Sequence, residues 1–259
     1  MPVTYLLMLT LQPLLAWMLL RGLAGRQRAA VAVMAAGGAV ILIKAVVKFR
    51  PAWEAAIFPF PDYVKYQGFV LYLGVAVFFG AGLAWLAGRR ERPMVALLGV
   101  VAMAHSGFAN TWLLDRTAYG EDRFADASGH CRQSTMFTCA PAACVSALAR
   151  CGVRVSERQM AALCLTNREG TGDFNIYRGL TLALAGTPWR ARLREISASA
   201  LAAEGTLAVV SLEDHAIATV GEGGGRLLVH DPLAGGPEHW AARELEIFYS
   251  GTAVMIEPR

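Results

Sequence analysis

Four residues of this chain stand in the order and spacing that a cysteine nucleophile requires. Cys139 begins a run of small apolar residues that predicts a helix, and a helix amino terminus favours the thiolate form of cysteine. Gln133, six residues earlier, carries an amide that can donate to a developing oxyanion. His215 is a candidate general base, and Asp231, sixteen residues later, can orient its imidazole. This set indicates acyl transfer through a thioester.

The elements that must hold these side chains change from helices to strands along the chain. Helices are predicted at Cys139–Cys151, at Ser156–Leu165 behind a Ser-Glu-Arg-Gln capping box, and at Asn175–Ala185. Strands are predicted at Leu207–Leu212, His215–Val220 and Arg226–His230, and the glycine-rich turn at 221–225 requires positive φ. Two antiparallel strands joined by such a turn bring His215 close to Asp231. Helices followed by strands predict an α+β domain.

The same residues resemble a known family. Gln133, Cys139 followed by Ala-Pro-Ala-Ala, the Gly-Thr-Gly at 170–172, His215 on an apolar strand, and Asp231-Pro232 are similar to the bacteriocin-processing, double-glycine leader peptidases. The stretch at 244–257 looks like that family's last helix and strand. The resemblance covers about residues 129–259 and implies a papain-like fold. It implies that Cys139 is the nucleophile, His215 the general base, Asp231 its orienter and Gln133 the oxyanion donor.

The chain also departs from that family. Members that mature bacteriocins are usually fused to an ABC transporter, and no Gly-x-x-x-x-Gly-Lys-[Ser/Thr] phosphate loop occurs here. The domain follows the apolar segments instead of preceding them, and Ala140 stands where the family often has glycine. These departures leave the substrate open more than the class of reaction.

The first part of the chain has the pattern of a membrane region. Four stretches are apolar over about the 20 residues that a helix needs to cross a bilayer, namely Val3–Leu20, Ala29–Val47, Gly68–Gly88 and Met94–Leu114. We therefore predict four transmembrane helices at 1–114, a polar linker at 115–128 and the papain-like α+β peptidase domain at 129–259. A buried bundle of a soluble protein is the alternative, and the short basic connectors argue against it. The net charge of +4 comes from these connectors, so no nucleic acid partner is expected.

The basic residues of the connectors favour one orientation. The first and third connectors carry six arginines, whereas the second carries four basic residues including Lys44. This excess predicts that the first and third connectors face the cytoplasm of a bacterial inner membrane, with the peptidase domain on the outer face. Lys44 and His105 lie inside predicted spans, where an ionisable group is a functional candidate. Snorkelling of Lys44 and helix contacts of His105 are the stronger explanations.

The remaining cysteines have simpler explanations. Cys144, Cys151 and Cys164 fall on predicted helices, where free cysteine is an ordinary small core residue. A disulfide between Cys151 and Cys164, or one from Cys131, is an alternative if the domain faces an oxidising space. The cysteines lack the paired Cys-x-x-Cys spacing of structural zinc, so neither a metal nor a cofactor is expected.

Several functions are compatible with these residues. The leading hypothesis is a membrane-anchored cysteine peptidase that cleaves a peptide or protein. The family resemblance implies a leader peptide as one possible substrate. An amine in place of water would make the same thioester an intermediate of acyl or peptidyl transfer. A catalytically silent peptide-binding module of a transport or assembly system is a third hypothesis. A channel or transporter with a regulatory domain would rest only on Lys44 and His105. The expected partners are the substrate, membrane lipid and a transport or assembly protein.

Overall fold

The computed structural model describes residues 2–115 and 117–259, and the chain divides into two compact units. The first unit holds the described residues of Met1–Arg50 and Tyr63–Asp115. The second unit holds Pro51–Asp62 and the described residues of Arg116–Arg259. The segment Pro51–Asp62 thus groups with the second unit, although it lies within the range 1–114 that the sequence predicts as the membrane region.

The helices and strands of the described residues are numbered in chain order. The α-helices are α1 Pro2–Gly22, α2 Gln27–Lys48, α3 Pro51–Ile57, α4 Gln67–Trp85, α5 Arg92–Ala109, α6 Cys139–Arg150, α7 Glu157–Cys164, α8 Asp173–Ala183, α9 Ala198–Glu204 and α10 Ala242–Glu246. The strands are β1 Trp189–Glu195, β2 Leu207–Leu212, β3 Ala216–Gly223, β4 Arg226–His230, β5 Glu238–Ala241 and β6 Tyr249–Pro258.

Four helices of the first unit have the length and apolar composition needed to cross a membrane. They are Tyr5–Gly22 of α1 and the whole of α2, α4 and α5. The last predicted span continues to Leu114, but α5 ends at Ala109 and a 3-10 helix follows at Thr111–Leu114. The reason is local: the Asn110 side chain donates to the Ser106 carbonyl at 2.8 Å and caps the end of the helix.

Helix α4 packs against α1, α2 and α5. A Cβ atom on Gly37 of α2 would lie 2.7 Å from the backbone nitrogen of Phe78, so glycine lets the two backbones approach closely. Lys44 is buried and donates to the Tyr63 hydroxyl at 3.0 Å, which differs from the snorkelling position that the sequence allows. The exposed His105 meets the Tyr72 ring edge-on, with the ring centroids 6.3 Å apart.

The second unit is built on a six-stranded antiparallel sheet of order β1-β6-β2-β3-β4-β5. Strands β2 to β5 follow one another along the chain, whereas β6 inserts between β1 and β2. Helix α6 packs against β2 and β3. Leu201 of α9 and Leu245 of α10 pack with Val210, Ile217 and alternate residues of the other strands in one buried core. Four apolar helices followed by a helix and sheet domain confirm the predicted fold class at this level.

An ion pair ties the segment Pro51–Asp62, which contains α3, to helix α8 of the same unit. Arg178 of α8, only 8% exposed, donates from Nε and from a terminal nitrogen to Oδ1 of Asp62, each at 2.9 Å. Its other terminal nitrogen donates to the Leu163 carbonyl, so the guanidinium has partners on two sides. Because Asp62 is the last residue of the segment Pro51–Asp62, the pair fixes the end of this segment on α8.

Candidate active site

Cys139 is the first residue of α6, at the position where backbone N–H groups have no intrahelical acceptor. The chain enters the helix through a tight turn, in which Thr138 donates from its backbone nitrogen (3.3 Å) and its hydroxyl (3.0 Å) to the Thr135 carbonyl. Pro141 falls in the first turn, where the absence of an N–H costs nothing. The predicted helix of Cys139–Cys151 is confirmed to within one residue, and Gly152 follows it with a φ of +72°.

His215 and Asp231 meet at one end of the β3–β4 hairpin. His215 immediately precedes β3 and Asp231 immediately follows β4, and the hairpin pairs Ala218 with His230. The Nε2 atom of His215 lies 2.6 Å from Oδ1 of Asp231. The hairpin turns at Gly224 and Gly225, whose φ values of +60° and +77° are of the kind that the glycine-rich sequence predicts.

His215 also makes a hydrogen bond to the Cys139 side chain, so its imidazole joins the thiol to the carboxylate. The hydrogen bond to Asp231, and secondly the one to Cys139, raise the pKa of His215 to about 9, although burial acts in the opposite direction. Burial acts to raise the pKa of Asp231, but the bonds from His215 and from the Leu233 N–H outweigh it and hold that pKa below its ordinary value. The geometry therefore favours a positively charged imidazole between two acceptors.

Gln133 lies in the segment that leads into the Thr135–Thr138 turn. Its backbone N–H donates to the Pro232 carbonyl at 3.1 Å, which ties this segment to the loop that carries Asp231. Its side-chain Nε2 donates to the Thr135 carbonyl at 2.9 Å, and its Oε1 is buried without a hydrogen-bond partner. An amide nitrogen carries two hydrogens, so one N–H remains for a further acceptor.

Two histidines that are far apart in the sequence stack on each other next to the Asp231 loop. His130 and His230 are both buried, and their rings stack with centroids 5.9 Å apart. His130 Nε2 lies 3.2 Å from the carbonyl oxygen of Ala234, and His230 Nε2 lies 3.3 Å from a guanidinium nitrogen of Arg150. Burial, and secondly the positive charge of Arg150, lower the pKa of His230 to about 4. The pair supports the loop after β4, and no local sequence pattern could have predicted a contact across a hundred residues.

The five cysteines are all free thiols, so the alternative disulfides do not form. Burial is the first cause that raises the pKa of Cys131, to about 12, and of Cys144 and Cys151. Cys164 is fully buried. Cys131, Cys144 and Cys164 are therefore inaccessible, while Cys139 and Cys151 are half-buried. Among the residues that the structure describes, no group of three or more His, Cys, Asp and Glu side chains is arranged to hold a metal ion.

Comparison with known proteins finds similar solved structures. One is the peptidase domain of Streptococcus ComA, described as a bi-functional ABC transporter involved in a quorum-sensing pathway; it has 17% sequence identity and a TM-score of 0.44, and the match covers 50% of this chain and 97% of that one. Another is a double-glycine-motif protease from an AMS/PCAT transporter in complex with the leader peptide, with 20% identity, a TM-score of 0.44, and coverage of 50% of this chain and 91% of that one. No protein-family model and no curated protein matches the chain. Both matches are peptidase domains of the kind that the sequence resembles, and each covers 50% of this chain.

Proposed function

We propose that this protein is a membrane-anchored cysteine peptidase that cleaves a peptide bond through a thioester intermediate. The observation that carries the proposal is the imidazole of His215, which contacts the Cys139 thiol and lies 2.6 Å from the Asp231 carboxylate. A nucleophile, its base and an orienter of the base in mutual contact are the arrangement that covalent acyl transfer needs.

In the proposed mechanism, the proton of Cys139 already rests on His215, and the thiolate sulfur attacks the carbonyl carbon of the scissile bond. The resulting oxyanion accepts hydrogen bonds from the Cys139 backbone N–H and from the Gln133 side-chain amide. His215 then gives its proton to the leaving amine, and the carbon–nitrogen bond breaks to leave a thioester on Cys139. Water, activated by the now neutral His215, hydrolyses the thioester and releases a carboxylate. Asp231 holds the imidazole ring and stabilises its charged form throughout.

The proposed substrate is a peptide or protein, and a leader peptide is the specific candidate from the sequence resemblance. We place the chain in a bacterial inner membrane, with the peptidase domain on the outer face, because the first and third connectors carry six arginines. A transport or assembly protein in the same membrane is the proposed partner. Transfer to an amine instead of water uses the same thioester and differs only in the product.

The first test is the reactivity of the thiols in the full chain, purified in detergent. Limiting iodoacetamide is applied across a pH series, and mass spectrometry maps the modified cysteines. We expect Cys139 to be modified first and to react more slowly in His215→Ala. Cys151 is the internal control, because it is also half-buried but lacks the imidazole contact. If Cys139 reacts no faster than Cys151, the catalytic assignment is wrong.

The second test is turnover. Wild-type protein and the Cys139→Ala variant are incubated with a library of proteome-derived peptides, and new termini are identified by mass spectrometry. We expect new termini with the wild type and with a Cys151→Ala control, and none with Cys139→Ala. Ligated peptides in place of free carboxylates would assign transfer. Cleavage that persists in Cys139→Ala would refute the proposal, and binding of peptides without any cleavage by the wild type would favour the silent binding module.

A further inference from the structure

Glu157 is a fully buried carboxylate with a backbone N–H donor on each oxygen. Its side chain has 0% exposure. Its Oε1 accepts from the Ser134 N–H at 2.7 Å, and its Oε2 accepts from the Glu121 N–H at 3.0 Å. A buried carboxylate is costly unless its lone pairs are satisfied. The carboxylate therefore constrains the positions of the two N–H groups.

One of these donors belongs to the segment that carries Gln133. The Ser134 N–H is part of the peptide unit that directly follows Gln133, and the Gln133 N–H is itself bonded to the Pro232 carbonyl at 3.1 Å. The backbone around Gln133 is thus held on one side by the Asp231 loop and on the other by Glu157. The Gln133 side chain then reaches the Thr135 carbonyl in the turn that leads to Cys139.

The other donor belongs to the stretch Glu121–Arg123, which precedes the segment of Gln133 along the chain. Helix α7 begins beside it, and its first N–H groups lack intrahelical acceptors. The Glu157 N–H donates to the Arg123 carbonyl at 2.8 Å, and the Arg158 N–H donates to the Glu121 carbonyl at 3.0 Å. The predicted capping box of α7 is confirmed by the Ser156–Gln159 pair, so the start of this helix is fixed independently. The carboxylate of Glu157 therefore has little freedom to move.

We propose that Glu157 is a positioning residue that holds the oxyanion donor Gln133 in place relative to Cys139, an inference that rests on the proposed peptidase function. Glu157 does not touch a substrate; it fixes the peptide unit after Gln133 through one oxygen. Through its other oxygen it fixes the Glu121–Arg123 stretch, so the same carboxylate joins this stretch to the oxyanion segment.

The Glu157→Gln substitution is the sharpest perturbation, because it keeps the size of the side chain and changes one acceptor into a donor. An amide can accept from only one of the two N–H groups and would place its own N–H against the other. The segment around Gln133 or the Glu121–Arg123 stretch must then move. The bonds of His215 with Cys139 and Asp231 do not involve Glu157 and should persist.

Two chemical probes separate these outcomes in the full chain. Iodoacetamide alkylates Cys139 by direct displacement of iodide and forms no oxyanion. With p-nitrophenyl acetate, the sulfur attacks the ester carbonyl, the tetrahedral oxyanion collapses, p-nitrophenolate leaves, and an acetyl thioester remains on Cys139. Loss of one oxyanion donor slows such acylations by about 10²-fold or more. We therefore expect Glu157→Gln to lower acylation by about 10²-fold while alkylation stays within about twofold of the wild type.

The comparison variants make the result specific. Gln133→Ala should show the same split, and adding Glu157→Gln to it should cause little further loss, because both changes act on one donor. Glu169→Gln, at an exposed carboxylate after α7, should change neither rate. If Glu157→Gln does not fold, Glu157→Asp replaces it, and we expect partial loss of acylation with normal alkylation. Unchanged acylation, or an equal fall in both rates, would refute the positioning role. A wild type whose Cys139 is not activated by His215 would refute the proposed function instead.

Discussion

Replacing Asp231 by asparagine should move the titration of His215 to lower pH. The bond to Asp231 is the largest cause that raises the pKa of His215 from 6.5 to about 9. Asparagine can still accept a hydrogen bond from Nε2, but it carries no negative charge to stabilise the imidazolium. The bond to Cys139 remains and keeps part of the increase. We therefore expect the pKa of His215 to fall by at least about one unit, which is about a tenfold change in its protonation constant.

The same substitution changes how stability depends on pH. In the wild type the folded-state pKa of His215 lies above its ordinary value, so the pair stabilises the fold fully below about pH 6.5 and loses this contribution as the pH rises through about 9. The carboxylate of Asp231, whose pKa is lowered, contributes only above its own titration range. We expect Asp231→Asn to cost roughly 1–2 kcal/mol at pH 7 and much less above pH 9.

The charge on His215 can be followed through two reagents of equal size. Iodoacetate is an anion that the imidazolium attracts, whereas iodoacetamide is neutral, so the ratio of their rates with Cys139 reports the positive charge beside the sulfur. We expect this ratio to fall through about pH 9 in the wild type and at least about one pH unit lower in Asp231→Asn. Asp214→Asn is the matched control, because it removes an exposed carboxylate next to His215 that makes no bond to the imidazole. A ratio that falls at the same pH in both variants and in the wild type would refute the argument.

Two further substitutions test the surroundings of the site. The pKa of His230 is lowered to about 4, so the unfolded state binds the extra proton between about pH 6.5 and 4. As the pH falls through this window, the free energy of unfolding of the wild type in detergent should therefore fall by up to about 1.4 kcal/mol per pH unit, and that of His230→Phe by less. An equal fall in both proteins would contradict the assignment. At Gly179 of α8, a Cβ atom would lie 2.7 Å from the terminal carbon of Met160, so Gly179→Ala should destabilise the unit by about 1–3 kcal/mol. Gly172→Ala, where nothing lies within 4 Å, should cost far less, and equal melting temperatures would show that α7 and α8 are not closely packed.

The sequence was sufficient wherever a local pattern determined the structure. Helix α6 ends before Gly152, α7 starts at its capping box, and β2 and β4 have the predicted bounds. The strand predicted at His215–Val220 instead runs over Ala216–Gly223, because the glycines before the turn remain paired with β4.

Other elements were not predicted because their signals are weak or their partners are distant. Strand β1 alternates apolar residues with three arginines over only seven residues, and α9 is an equally short helix that begins at a Ser197 cap. Strand β5 is short and polar, and only its pairing with β4 makes it a strand. The stacking of His130 on His230 and the bonds of Glu157 depend on the tertiary fold alone. A capping box identifies the start of α7 but does not indicate that the carboxylate inside it reaches Ser134.

The position of β6 in the sheet has a consequence for how the protein is made. Strands β2 to β5 are neighbours both in the chain and in the sheet, so this meander can assemble while the chain is still being translated. The edges of β1 and β2 stay open until Tyr249–Pro258 has left the ribosome, and open strand edges invite aggregation. A chain arrested before Tyr249 is therefore expected to carry His215 and Asp231 already paired within an unfinished sheet. We expect limited proteolysis to cleave such arrested chains faster than the complete protein, because their sheet is unfinished.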